Sequence, residues 1–546
     1  MSFHLVSNRI AHLVSLTFLI IASANNCYAI TTDSSLDMSW QDTISVSTAM
    51  VIDHDTITKT IGQKEVTTTD LVLDQSHMAL PDSIAIDTLS AMAIASKPSL
   101  RFRDFAISGA EVVGANLLFH VATRYIANED YAHISWESIK NNFKKGFYWD
   151  NDKFETNLYS HPYQGSLYFN CARSNGLSFW QSAPYAAFGS FIWEFFGETQ
   201  PPSTNDIFAT TLGGMALGEI EHRVSSLMLD ETASGSERVI RELAAAVINP
   251  IGGVRRLVTG QMWKRGTRYV NAEAAVPFHI QLGLGYRYIN DHSTSDKKHV
   301  SNIDITFAYD SPFAISGRVP FEAFKVRLSY NLFTSQPHIS IINACATIWG
   351  RNLELKNGNR LFAGIFQNYN FYNTEALRSD GDAPFRIAET VSYGPGIIFR
   401  HTWRNNMILL SGYASGILLG GSKSDHYMFQ ERDYDMGSGF SLRSENLIML
   451  NRKLAIYTAI DHYRIFTWKG YEKKNYQNID PNYLNVQGAT GNAWMHVIRL
   501  RATIPVFKHI GLSAEWAWYK RHSHYKYFND VKATTSEYHL MLTYQL

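Results

Sequence analysis

Two hydrophobic periods divide the chain. Between Phe102 and about Gly260, apolar residues recur every three to four positions, the spacing that gathers side chains on one face of a helix. Phe105–Tyr125, Ser178–Glu198 and Ser203–Leu229 read as long helices, and Ser135–Lys145, His161–Arg173 and Ser236–Ile248 as shorter ones. Ser203-Thr204-Asn205-Asp206 follows Pro201-Pro202, a stop and then a cap with an acid at the positive end of the helix. Gly213, Gly214, Ala216 and Gly218 make a small-residue face that lets helices approach closely. Glu111, Glu194 and Glu198 interrupt these runs, and a charge at the centre of a bilayer is costly. The region is therefore expected to be a compact α-helical periplasmic domain, resting against the membrane, beneath or inside the C-terminal half of the chain.

From about Pro277 the period changes to two. Phe278, Ile280, Leu282, Leu284, Tyr286 and Tyr288 alternate with His279, Gln281, Gly283, Gly285 and Arg287. The same scheme recurs at Ile303–Tyr309, Phe324–Leu332 and Ile510–Trp518, and in the last segment from Tyr538 to Leu546. About twelve such segments, an even number, fit an antiparallel transmembrane β-barrel with a lipid-facing exterior and a wet interior. A soluble β-sandwich would also alternate, but it would not need so many strands. Short turns at Trp403–Asn406, Leu450–Lys453 and Val506–His509 alternate with longer polar ones at Asn290–His299, Ser379–Pro384, Ser422–Asp435, Lys469–Thr490 and Phe528–Ser536. Thr334–Pro337 is too short for the long-loop side on which it falls.

The amino terminus adds a destination. Arg9, an apolar run from Leu13 to Ala24, and Cys27-Tyr28-Ala29 form a signal peptide with cleavage after Ala29. Asn26 precedes Cys27 where a lipoprotein needs a small residue. Ile30 to about Ser99 is rich in Thr, Ser, Asp and Ala and has no sustained period, as a solvated linker would. The expected boundaries are 1–29 for the signal peptide, 30–100 for the linker, 101–265 for the helical domain and 266–546 for the barrel.

Composition supports that division. Lysine plus arginine and aspartate plus glutamate each total 49 in 546 residues, so there is no charge basis for a nucleic-acid partner. A mean hydropathy of -0.17 is too polar for a bundle of membrane helices alone, whereas 13% aromatic residues suit a half-wet barrel. With Cys 3 in all, the chain is not a disulfide scaffold, and Cys171 and Cys345 read as isolated buried thiols.

Chemistry-bearing residues gather in the helical part. Glu194 and Glu198 are four apart, hence on one face, and Asp206 opens the next helix beyond Pro201-Pro202. A hairpin there would bring the three carboxylates together, and His161 can join them. Such a group can bind a hard cation or do acid–base work, so His161, Glu194, Glu198 and Asp206 are the candidate catalytic or metal-ligating residues. The bland alternatives are a helix cap at Asp206, one polar stripe for the two glutamates, and a His-Pro helix opening. Glu219 and His222 form one ExxH pair, where a di-iron bundle needs two. GxSxG, HExxH and P-loop motifs do not occur, and no cofactor is implied. In the barrel, Arg287, Lys325, Arg327, Arg499, Arg501, Asp304 and Glu515 are expected in the lumen, either tuning a pore or pairing to fill it. Tyr471, Tyr476 and Tyr483 lie in the Lys469–Thr490 loop, where an external ligand could bind or water alone be met.

His161-Pro162-Tyr163-Gln164-Gly165-Ser166, Ala172-Arg173-Ser174-Asn175-Gly176, Trp193-Glu194 with Gly197-Glu198, Pro202-Ser203 with Asn205-Asp206, and Asn249-Pro250 form a set. Together they make Gly146–Gly260 resemble an uncharacterised bacterial envelope family, the domain of unknown function 3943. The resemblance implies an exported protein whose helical module precedes a barrel, and it brings no activity or catalytic residue. Leu546 departs from the aromatic that commonly ends an outer-membrane barrel, and Tyr544 can stand in for it.

The expectation is thus a Gram-negative outer-membrane barrel with a periplasmic helical domain, serving solute passage or an envelope-structural role. The alternative is an envelope enzyme acting on lipid or cell-wall material through the His/Glu/Asp cluster. Expected partners are outer-membrane lipid, the barrel-assembly and secretion machinery and a small solute.

Overall fold

The computed structural model describes residues 100–150, 152–379, 381–428, 432–471 and 485–545. The signal peptide, the linker and most of the Lys469–Thr490 loop lie outside them. Helices come first: α1 (Phe102–Val121), α2 (Trp136–Lys145), α3 (His161–Arg173), α4 (Phe179–Ile192), α5 (Thr204–Phe208), α6 (Gly214–Met228), α7 (Gly235–Ile248) and α8 (Pro250–Val258). π turns extend four of them: Ala122–Ala127 after α1, Thr156–Ser160 before α3, Trp193–Gly197 after α4, and Ala209–Gly213 between α5 and α6.

Local sequence explains the starts. Ser135 and Ser178 cap α2 and α4 by accepting from the backbone N–H of Ser138 and Gln181. Ser203 caps α5 by accepting from the Asp206 N–H, so the Asp206 carboxylate is free to point elsewhere. Asn249 with Pro250 opens α8. The small-residue face does what its composition suggests. A Cβ on Gly214 would lie 2.4 Å from the Gly165 carbonyl carbon, and one on Gly165 would lie 1.7 Å from the Thr210 oxygen. At that crossing, α3 and the start of α6 touch backbone to backbone.

The strands are β1 (Phe278–Asp291), β2 (Lys297–Tyr309), β3 (Phe324–Leu332), β4 (Ile339–Glu354), β5 (Arg360–Asn373), β6 (Arg386–Trp403), β7 (Asn406–Lys423), β8 (Tyr434–Leu450), β9 (Leu454–Thr467), β10 (Gly470–Tyr471), β11 (Gly488–Ala489), β12 (Gly491–Phe507), β13 (Ile510–Tyr525) and β14 (Val531–Gln545). Twelve of these close into an antiparallel barrel, with β1 paired to β14, while β10 and β11 form a short parallel pair in a loop. Both ends of the barrel sequence lie on the short-turn side. One connection there, 310–323, is long, because it docks the helices: Arg223 donates to the Pro320 carbonyl (3.1 Å) and Phe179 stacks on Phe321.

The helices do not sit beneath the barrel, nor do they enter it. They pack on its outer wall. Outward residues of β1 to β6 form two clusters with the helices. Phe307, Tyr309, Phe324 and Ala346 meet Phe169, Phe179, Met215 and Val224. Leu328, Ala344, Tyr369 and Phe371 meet Phe154, Leu158 and Ala209. Hydrogen bonds tie the two, since Tyr369 Oη donates to Leu158 O (2.7 Å) and Tyr309 Oη to Glu273 O (2.7 Å). The helices run up and down the wall, with the start of α5 at the long-loop rim and the end of α6 at the short-turn rim. This corrects the placement of the module below or inside the barrel. The outward apolar residues of these strands meet protein where a sequence pattern shows only that they avoid water.

Candidate functional site

Two polar centres stand out. The first is the lumen. Arg327 donates to Asp304 (2.8 Å) on the neighbouring strand and to Glu515 (2.8 Å) across the barrel. Arg501 closes the square by donating to Glu515 (2.6 Å) and Asp304 (3.0 Å). Lys325 reaches Glu445 (2.9 Å), Arg499 reaches Asn343 (3.2 Å), and Arg287 reaches Glu537 (3.1 Å). Arg443 joins Asp461 (3.3 Å) to Asn368 (2.9 Å), and above this layer Tyr372, Phe385, Tyr463, Met495 and Tyr519 fill the bore. All seven charged residues assigned to the lumen from the alternation point inward and take part in this network. Arg443, Glu445, Asp461 and Glu537 were not singled out. In β8 serine and glycine dilute the alternation around Arg443 and Glu445, whereas Glu537 falls on the polar face of the last segment. The barrel's own side chains occupy its interior.

The second centre lies at the long-loop rim, on the helical side. The hairpin at Pro201-Pro202 forms as the sequence suggests. Tyr148 and Ser203 run as a parallel bridge, with the Tyr148 N–H donating to Pro202 O (3.0 Å) and the Thr204 N–H to Tyr148 O (2.9 Å). His161 Nε2 stands 3.4 Å from Asp206 and 3.5 Å from Asp152. Glu194 accepts the Ser203 N–H (2.7 Å) and shares a hydrogen bond with Glu198. Asp150 is held by the side-chain amides of Asn205 (2.6 Å) and Asn157 (3.2 Å), and Asn157 also donates to Tyr434 Oη (2.7 Å) on the barrel wall. Arg432, in the loop after β7, donates to Asp150 O (3.1 Å). Three of the π turns border this group, each rotating its helix by the one extra residue it inserts. Because His161 lies within a helix that starts earlier, it is not a helix opener.

His161, Glu194, Glu198 and Asp206 therefore lie together. Asp150, Asp152, Asn157 and Asn205 complete the group. Asp150 and Asp152 sit in an aperiodic loop, where helical spacing gives no cue, and the Asp-x-Asp spacing ahead of the helix was the signal available. Asp150, Asp152, His161 and Asp206 each place one donor atom within 4.8 Å of the others, a set of hard ligands suited to a divalent cation. Asp152 is half-exposed and opens the group to solvent.

This rim lies level with the first residue of β8 and the loops above it, beyond the exposed apolar belt. Burial, then neighbouring carboxylates, push Glu198 above the usual carboxylate range.

The ExxH pair serves a different purpose. Glu219 accepts from Arg173 (2.6 Å) and from Arg223 (2.8 Å), an ion triad that fixes α3 against α6 and leaves no carboxylate oxygen for a metal. Cys171 and Cys345 are free thiols.

Residues 146–251 match the model of the family described as Domain of unknown function (DUF3943). The DUF3943 stretch contains the whole rim group, from Asp150 to Asp206, and the Gly165–Gly214 crossing. No curated protein matches the sequence. Among solved structures, an outer membrane channel from Pseudomonas putida F1 aligns at 10% identity and TM-score 0.26, over 49% of this chain and 95% of its own. The toluene transporter TodX of Pseudomonas putida aligns at 7% identity and TM-score 0.20, over 49% and 88%. The outer membrane channel DcaP of Acinetobacter baumannii aligns at 9% and 0.21, over 50% and 97%.

Proposed function

We propose that this protein is a Gram-negative outer-membrane β-barrel with an envelope-structural role, whose barrel carries the helical module and does not conduct. The observation that supports it is the charge square of Asp304, Arg327, Arg501 and Glu515 spanning the lumen. Removing one member would leave buried charges unpaired, so the square resists opening. In this reading the signal peptide ending at Ala29 directs export, secretion and barrel-assembly machinery are the transient partners, and the short-turn rim faces the periplasm, as in such barrels generally. Purified full-length protein in planar bilayers is expected to give no ion-conductance steps. Steady conductance from the wild-type chain would sink the structural reading in favour of solute passage.

A second reading is favoured by the convergence at the rim: an envelope enzyme acting on lipid or cell-wall material, with His161, Glu194, Glu198 and Asp206 as its acid–base or cation-binding groups. Asp150 and Asp152 would complete a cation site, and the cation would polarise a substrate oxygen or a water. Incubating the full chain with outer-membrane lipid and with peptidoglycan, with and without calcium or zinc, tests it by mass spectrometry of the products. An unchanged product profile with both substrates, for wild type and Asp206→Asn alike, rules it out.

A further inference from the structure

We propose that the helical module is itself a membrane-crossing bundle, standing in the outer membrane beside the barrel, with lipid acyl chains covering its outer face. The proposal rests on reading the barrel as an outer-membrane barrel. Outward residues of a barrel's belt lie at the depth of the hydrocarbon core. Phe307, Phe324 and Leu328 belong to that belt, and here α3, α4 and α6 cover them. Whatever packs on the belt lies at the same depth.

Length and surface agree. Residues 102–127, 156–173, 179–197 and 204–228 run alternately up and down the wall. At 1.5 Å per residue they extend about 39, 27, 28 and 37 Å, against a hydrocarbon core of about 30 Å. The segment Phe102–Ala127 is apolar enough to cross by composition, and only 22% of its most apolar 18-residue stretch is buried. On the side away from the barrel, Leu117 (61% exposed), Leu118 (71%) and Phe188 (43%) face outward. A water-soluble domain would place polar residues there.

Away from its ends, the bundle's carboxylates Glu111, Glu219 and Glu221 turn inward and have hydrogen-bonding partners, as they must in hydrocarbon. Glu219 lies between Arg173 and Arg223, Glu221 accepts from Ser166 and Asn170, and Glu111 accepts from Asn175 and Arg255. Backbone contact through small residues at Gly165 and Gly214 is the mode by which helices associate where no hydrophobic effect drives them together. Short amphipathic helices flank the bundle. At the long-loop rim α2 carries exposed Trp136 and Phe143 beside Lys140, Lys144 and Lys145, and at the short-turn rim α8 carries exposed Val254 and Leu257 beside Arg255 and Arg256. Those are the compositions of helices lying in the two membrane interfaces.

The test is collision accessibility of nitroxides on single cysteines, with the native cysteines changed to alanine and the full chain reconstituted in phospholipid vesicles. Leu117→Cys and Phe188→Cys report the bundle, Leu540→Cys the bare barrel belt, and Arg378→Cys a long loop. The expected result is an oxygen-to-nickel-chelate accessibility ratio at positions 117 and 188 equal to that at 540 and at least several-fold above that at 378. A ratio at 117 and 188 equal to that at 378 overturns the proposal, and spin–spin broadening there with low access to both reagents overturns it in favour of a second copy of the chain. A water-like ratio at 540 overturns the barrel reading along with it. Photolysis of the unmodified protein with a diazirine-bearing acyl chain gives a second readout, free of mutation. Cross-links in 102–127 and 179–197 as well as in 510–545 support the bundle, and cross-links in 510–545 alone refute it.

Discussion

The barrel wall has two kinds of exterior, and the contrast shows how alternation is used. On β12 to β14 the outward positions include Leu500, Leu512, Leu540 and Leu542, all exposed. On β2 to β5 the outward positions Phe307, Tyr309, Phe324, Ala344, Ala346, Tyr369 and Phe371, with the aliphatic Ile305, Leu328 and Ile342 among them, are all buried. Alanine and large aromatics suit a fixed neighbour, since a small residue admits a helix and a ring fills the gap beside it. The two tyrosine hydroxyls decide the matter chemically, for each donates to a backbone carbonyl of the helical part, and hydrocarbon offers no such acceptor.

Perturbing both walls in parallel sharpens this contrast. The largest effect is expected at the helix crossing, where Gly214→Leu forces α3 and α6 apart. Limited proteolysis is expected to digest residues 102–258 rapidly while leaving the strands resistant. Gly412→Ala on the bare wall, whose Cβ meets nothing within 4 Å, is expected to change nothing. An equally protected helical part in Gly214→Leu would show that the crossing is not needed.

Next is the lumen. Arg327→Ala leaves Asp304 and Glu515 each short of a partner, and breaking a buried pair costs about 3–5 kcal/mol. Urea titration of vesicle-bound protein is expected to show that loss, against little change for Leu540→Ala, whose side chain is 56% exposed.

A third pair isolates a single hydrogen bond. Tyr369→Phe removes the bond to Leu158 O and should cost about 1 kcal/mol. Tyr538→Phe, on the bare wall, should cost nothing measurable in the same titration.

The smallest effect concerns pH. Glu198 titrates higher in the folded protein than its ordinary value of 4.5, because it is buried among other carboxylates. Its contribution therefore favours the folded rim below the ordinary value and is lost as pH rises through the raised value of the folded state. The protection of residues 146–161 and 194–206 against hydrogen exchange, after correction for the intrinsic rise of exchange with pH, should fall modestly as pH rises from about 5, and Glu198→Gln should flatten that dependence. An unaltered slope in the variant assigns it to another group.

Much of this was legible from periodicity. The strand pattern at Phe278–Tyr288 identifies wall and lumen because residue parity in a strand fixes which face a side chain occupies. Hence parity alone placed Arg287, Lys325, Arg327 and Arg501 inside. The spacing of Glu194 and Glu198, with the break at Pro201-Pro202, was enough to bring Asp206 and His161 into one neighbourhood. Asp150 and Asp152 escaped notice because a loop carries no period. The direction of the Asp206 carboxylate escaped because Ser203, not Asp206, provides the cap.

The sequence alone determined the two periods, the closed antiparallel barrel, the helices and the acid–histidine group, since each follows from local repeats and short-range spacing. Only the tertiary structure decided what the outward residues of β2 to β5 touch. A period of two records that a face avoids water, and lipid and helix satisfy that requirement equally. How the lumen is filled was likewise beyond the pattern, because pairing between strands as distant as β3 and β13 depends on how the barrel closes.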